Sequence, residues 1–196
     1  SMDGDRAPLA DLVALAERHD AMLLLDEAHA TGVHGEQGRG LAAAFEGAPN
    51  IVSLHTCGKA LGASGALVCL PRELRDFMVN RARGFIYSTA PSPLAAAVVR
   101  AALRHVAGAD AQRARLAALV DRAGALMKQK LGIAPSGSQI LPVIVGSDAR
   151  AVALAAALQA SGHDVRAIRP PTVPEGTARL RISITCNTTR QRIAAL

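Results

Sequence analysis

A chain of 196 residues, half of them hydrophobic, is long enough for one large domain or two small ones with a substantial core. Aromatic residues make up only 2%, which argues against a nucleic-acid surface built on base stacking, and no run of about 18 apolar residues is present to span a bilayer. The net charge of +6 comes from scattered arginines, which read first as a solvated surface, with attraction for an anionic substrate as the sharper alternative.

The three cysteines, Cys57, Cys69 and Cys186, are widely spaced and lack zinc spacing. A reducing, cytoplasmic compartment without a metal site is therefore expected, and no secretory leader is legible. Residues 2–6 read as a polar turn. Residues 7–18 follow with Leu9, Leu12, Val13, Leu15 and Ala16 at helical spacing and Pro8 suited to the first turn. Residues 21–25 are uniformly apolar and run straight into Asp26, the pattern of a strand buried on both faces of a parallel sheet. A helix leading into a strand is half of a crossover unit, so the chain is expected to begin in mid-domain.

Residues 30–40, ATGVHGEQGRG, form a glycine-rich loop that does not fit GxGxxG, followed by a short helix through Phe45. Residues 50–54 are a second strand, leading into His55-Thr56-Cys57-Gly58-Lys59, and residues 66–70 a third. Residues 71–83 read as a helix and 85–89 as a short extended piece. Ser92-Pro93 is an N-cap with proline at the first helical position, opening a helix to about Val106; another, capped by Asp110, reaches Leu131. The C-terminal part reads as strand 140–145, helix 148–161, strand 164–168, a proline-rich loop, strand 178–184 and the start of a helix at 188–196. Three parts result: residues 1–107, a linking helix 108–132, and a small α+β domain 133–196.

Parallel sheets place ligands beyond the carboxyl ends of their strands. Asp26 stands at one such end with His29 in the following loop, and Lys59 follows the next strand. Lys59 is one of only three lysines. An acid, an imidazole and an amine there are the parts of a pyridoxal phosphate site: a lysine to bond the cofactor's aldehyde, a carboxylate against the pyridine nitrogen, and a donor beside the ring hydroxyl. Thr56 is placed to bind the phosphate. Each residue also has a plainer reading: Asp26 as a loop anchor, His29 as structural, Gly58-Lys59 as a commonplace dipeptide. Asp26-Glu27-Ala28-His29 spells the DEAH of helicase-like ATPases, but no P-loop precedes it.

The stretches SMDGD (1–5), LLLDEAHATGVHGEQGRG (23–40), HTCGKALGASGALV (55–68), FIYSTAPSP (85–93) and AIRPPTVPEGTARLRIS (167–183) together resemble the α-oxoamine synthases, and are nearest to the biotin-biosynthetic branch. The resemblance implies the large domain of an aspartate-aminotransferase type pyridoxal phosphate fold, an α/β domain with a mostly parallel sheet, plus a small α+β domain. It implies a homodimer with active sites at the subunit interface. It matches Lys59 to the cofactor-bonding lysine, Asp26 to the pyridinium partner and His29 to the residue by the ring hydroxyl. Thr56 and Ser1 match cofactor-contacting hydroxyls, and Ser88 and Thr89 the segment reaching the neighbouring subunit's phosphate. Thr172 matches a substrate-contacting threonine and Arg169 the grip on the amino acid's carboxylate; Arg181 is a second candidate, with an ordinary strand-surface reading. The implied reaction joins L-alanine to an acyl-CoA or acyl-carrier-protein thioester, pimeloyl in the nearest branch. Glycine-using members that make aminolevulinate or 2-amino-3-ketobutyrate are the alternative. The family's N-terminal portion, with the residue that stacks on the ring, is not in this sequence. The chain therefore reads as roughly the C-terminal half of the enzyme, inactive by itself.

Overall fold

The computed structural model describes residues 1–196 as two units. One spans residues 7–113; the other combines residues 1–6 with 114–196. The division falls inside a long helix.

In the first unit, α1 (Leu9–Arg18) leads into β1 (Leu23–Asp26). After a loop with two 3₁₀ turns come β2 (Ile51–Thr56), β3 (Ala66–Cys69), α2 (Arg72–Arg81), α3 (Arg83–Ile86) and α4 (Pro93–Ala107). The sheet order is β1-β2-β3; β1 pairs parallel with β2, and β3 joins β2 antiparallel. Alternation sends Leu25, Ile51, Ser53, His55 and Leu67 to one face. Val13 of α1 packs there on Leu25 and Ile51, and Val99 of α4 joins Cys57, Leu61 and Leu67.

The expectation that β1 is buried on both faces is corrected. Leu25 is 7% exposed but its neighbour Leu24 is 69% exposed. All the packing comes from one side, so within this chain the face bearing Leu24 and Val68 has no covering layer. A second correction concerns residues 85–89, expected as extended. Here Phe85 and Ile86 donate backbone hydrogen bonds to Ala82, and Tyr87 to Arg83, so α3 forms a helical turn in place of a strand. No sheet edge is paired with this segment, and local bonding satisfies its backbone. Ser92 caps α4 as expected, its Oγ accepting from the Ala95 N–H at 3.2 Å.

The second unit is built on α5 (Asp110–Leu131), β4 (Ile140–Gly146), α6 (Asp148–Ala160), β5 (Arg166–Ile168), β6 (Ala178–Ser183) and α7 (Arg190–Ala195). Its sheet is antiparallel in the order β4-β6-β5. Leu119, Ala123 and Met127 of α5 pack on Leu141, Ile184 and Ile193, while Ala155 of α6 packs on Val165 and Leu180. Arg179 and Arg181 alternate to the opposite face. There residues 1–6 are tied down: Asp3 pairs with Arg179, the Ser1 carbonyl accepts from Arg181 Nε at 3.1 Å, and Arg6 donates to the Gly137 carbonyl at 3.1 Å.

Leu141 is 1% exposed at the centre of the α5 cluster. Leu141→Ala should lower unfolding stability by about 2–5 kcal/mol, measured by urea denaturation; a loss under about 1 kcal/mol would mean that this cluster is not close-packed.

Candidate active site

The parallel register pairs Asp26 with Leu54, on strands about 4.8 Å apart. Two residues beyond Leu54, Thr56 lies on the same sheet face as Asp26, and the Lys59 turn follows at the same strand ends. That turn is pinned from below. Cys57 is buried, its N–H donates to the Gly65 carbonyl at 2.9 Å, and its own carbonyl accepts from Ala63 at 2.8 Å. Lys59 is left exposed. Asp26 is also exposed; its Oδ1 accepts from the Ala28 N–H at 2.9 Å, which turns the chain immediately after the strand. His29, half-buried, rides on the turn in which the Ala30 and Thr31 N–H groups both donate to the Glu27 carbonyl. An acid, an imidazole, a hydroxyl and an amine thus share the carboxyl ends of β1 and β2. This donor set fits pyridoxal phosphate: the amine bonds an aldehyde, the carboxylate pairs with a protonated ring nitrogen, and the hydroxyl donates to phosphate.

Beneath this edge lies a polar network that sequence reasoning missed. Glu27 is 4% exposed, and its two carboxylate oxygens accept from the Leu41 N–H at 2.7 Å and the Ala42 N–H at 3.0 Å. Gly40, with φ of +110°, passes so close that a Cβ there would collide with Glu27 Oε2. His55 is 6% exposed, with Nδ1 2.8 Å from Thr31 Oγ1 and Nε2 2.9 Å from Ser53 Oγ. The available signal was parity: Glu27 must face opposite to Asp26, and His55 shares the face of Ile51 and Ser53.

Of the other expected site residues, Ser88 and Thr89 are exposed beside α3, Ser88 Oγ donating to the Gly84 carbonyl at 2.6 Å. Ser1, Arg169, Thr172 and Arg181 belong to the second unit. Ser1 Oγ accepts from the Gly4 N–H at 2.8 Å. Arg169 and Thr172 are exposed on the loop after β5, with the Thr172 N–H donating to the Arg169 carbonyl at 3.1 Å. The Arg181 guanidinium is already engaged by the Ser1 carbonyl and by Ser183 Oγ.

The sequence profile described as aminotransferase class I and II matches residues 1–196. The chain belongs to that family. Among curated relatives, the 8-amino-7-oxononanoate synthase of Anaeromyxobacter dehalogenans is 51% identical over 187 residues, taking in 94% of this chain and 47% of the relative. The enzyme of that name from Burkholderia lata is 49% identical over 188 residues, with coverage of 94% and 47%. Among solved structures, Sphingomonas wittichii serine palmitoyltransferase superposes with a TM-score of 0.89 at 30% identity, covering 100% of this chain and 50% of that one. The 8-amino-7-oxononanoate synthase of Francisella tularensis superposes at 0.80 and 28% identity, covering 94% and 55%. The chain spans about half the length of the relatives it matches. The expected aminotransferase-type α/β fold is borne out by these matches.

Cys69 lies on the network side of β3, paired with Ser53. Partial burial pushes its thiol up, the Glu46 carboxylate adds to the rise, and Ser53 and Arg39 oppose it. Because the thiolate is the reactive form, alkylation of Cys69 at neutral pH should run slower than that of a free thiol and accelerate only above the ordinary thiol range. Peptide-resolved iodoacetamide labelling against pH measures this, and reaction at the free-thiol rate would contradict it.

Proposed function

We propose that this chain is the lysine-bearing portion of a pyridoxal-phosphate-dependent acyltransferase of the α-oxoamine synthase type, an 8-amino-7-oxononanoate synthase. It would join L-alanine to pimeloyl-CoA, or to the pimeloyl-carrier-protein thioester, with release of carbon dioxide and thiol, in biotin biosynthesis. The observation that carries this reading is the 49–51% identity to curated synthases of that name over 94% of this chain.

Bound pyridoxal phosphate supplies the electron sink for charge developing at the amino acid's Cα. Around it, each residue has a defined task. Lys59 offers its amine to bond the cofactor's aldehyde and to take up the Cα proton at Nζ. Asp26 keeps a proton on the pyridine nitrogen, since a close carboxylate favours the charged form of that nitrogen. His29 donates beside the ring hydroxyl, and Thr56 and Ser1 contribute hydroxyls to cofactor binding. Arg169 takes the substrate carboxylate with its planar fork, and Thr172 contacts the substrate. Arg181 is the weaker candidate, because its Nε and Nη1 already donate to the Ser1 carbonyl and Ser183 Oγ.

The enzyme is a homodimer in this reading, with Ser88 and Thr89 reaching the neighbouring subunit's phosphate. Exposed Phe85, Ile86, Tyr87 and Leu94 around those hydroxyls support it, because apolar side chains crowded on a surface mark an interaction site.

The test is covalent. The protein, expressed at the length of its relatives, is loaded with pyridoxal phosphate, reduced with borohydride and mapped by peptide. The label should sit on Lys59, and Lys59→Ala should abolish both label and turnover. A label on Lys128 or Lys130 would overturn the assignment.

A further inference from the structure

Asp26, His29, Thr56 and Lys59, four of the residues proposed to meet the cofactor, stand on two separate segments, the end of β1 with its turn and the end of β2 with its turn. Their spacing depends on whatever locks those segments together. Below the open edge the lock is a chain of buried polar atoms. Thr31 Oγ1 donates to the Glu27 carbonyl at 2.8 Å. A hydroxyl has one proton, so this bond leaves Thr31 Oγ1 as an acceptor toward His55 Nδ1, 2.8 Å away. His55 must then carry its proton on Nδ1. Ser53 Oγ, 2.9 Å from Nε2, lies within hydrogen-bond reach of the other ring nitrogen, and the Glu46 carboxylate, at 3.9 Å from that same atom, lies beyond it.

The Glu27 carbonyl that ends this chain also accepts from Ala30 and Thr31, so it ties down the backbone immediately after His29. The Glu27 carboxylate clasps the far end of the loop at Leu41 and Ala42. Such charge-assisted bonds are roughly twice as strong as neutral ones, and Gly40 leaves them the space.

We propose that Thr31 and His55 form a proton-ordered bridge that positions the end of β1, with Asp26 and the following His29 turn, against the end of β2, with Thr56 and the following Lys59 turn, while Glu27 clasps the loop shut. These are positioning residues; they act through Asp26, His29 and Lys59. Their effect on the cofactor rests on the pyridoxal phosphate reading, but the bridge itself does not.

Two measurements keep the two separate. In the protein without cofactor, ¹⁵N shifts of the histidine rings should show Nδ1 of His55 protonated in the native protein and in Thr31→Ser. Thr31→Val, which keeps the shape but removes the acceptor, should shift or lose that signal. An unprotonated Nδ1 in the native protein would overturn the bridge regardless of what the cofactor does. In the loaded protein, the pH midpoint of the cofactor's visible band should be the same in native and Thr31→Ser. In Thr31→Val it should move by at least about half a pH unit, about a threefold change in the proton equilibrium. Equal shifts in the serine and valine variants, or a valine variant of lowered thermal stability whose band titrates as native, would reduce the bridge to a structural contact. If Thr31→Val does not fold, Glu27→Gln serves. Its amide places a donor against one of the two N–H groups, so amide exchange at Leu41 and Ala42 should quicken at least about tenfold, the equivalent of about 1.4 kcal/mol. Native exchange rates there would overturn the clasp. Failure of the native protein to bind pyridoxal phosphate would defeat the functional reading and leave the tautomer measurement to decide the bridge.

Discussion

The parallel pairing of β1 with β2 is the constraint on which everything else depends. Hydrogen bonds along two short strands set the register, and a one-residue slip would turn each side chain to the opposite face. With Asp26 opposite Leu54, Asp26 and Thr56 share the open face while Leu25, Ile51 and His55 share the packed one. The ladder continues one residue further, the Glu27 N–H donating to the Leu54 carbonyl at 2.8 Å. That extra rung holds the turn with His29 against the strand that leads to Lys59.

The two faces of this edge divide the work. Above, exposed groups are available to a ligand. Below, Glu27, Thr31, Ser53 and His55 are buried and their polar atoms are paired with one another or with backbone. A buried carboxylate or imidazole left without partners costs several kcal/mol, so such a network holds a single arrangement or none. The loop therefore has little freedom although it is rich in glycine. Gly40 is one position where that glycine content is required, by positive φ and by the approach of Glu27.

Much of this was legible in the sequence. The apolar run ending in Asp26, the Ser92-Pro93 cap and the alternation of helix and strand in residues 133–196 rest on local rules, and the structure follows them. The edge with Asp26, Thr56 and Lys59 was legible because strand ends in parallel sheets converge. Burial of both faces of β1 was not, since that depends on what packs over Leu24 and no local pattern states it. Residues 85–89 misled for a related reason: aromatic and β-branched residues suit a strand, but a strand needs a partner, and the segment coils into α3. Glu27 and His55 stand inside longer motifs that do not mark them out. Their role follows from which face each occupies, which requires the register.

The central claim is that Asp26 and Lys59, thirty-three residues apart in the chain, serve one cofactor. The most direct measurement is the ¹⁵N shift of the pyridine nitrogen in labelled pyridoxal phosphate bound to the protein in mildly alkaline buffer. A protonated nitrogen in the native protein that loses its proton in Asp26→Asn, with the cofactor still bound, is the result expected here. A nitrogen unprotonated in the native protein, or protonated equally in both, would contradict it.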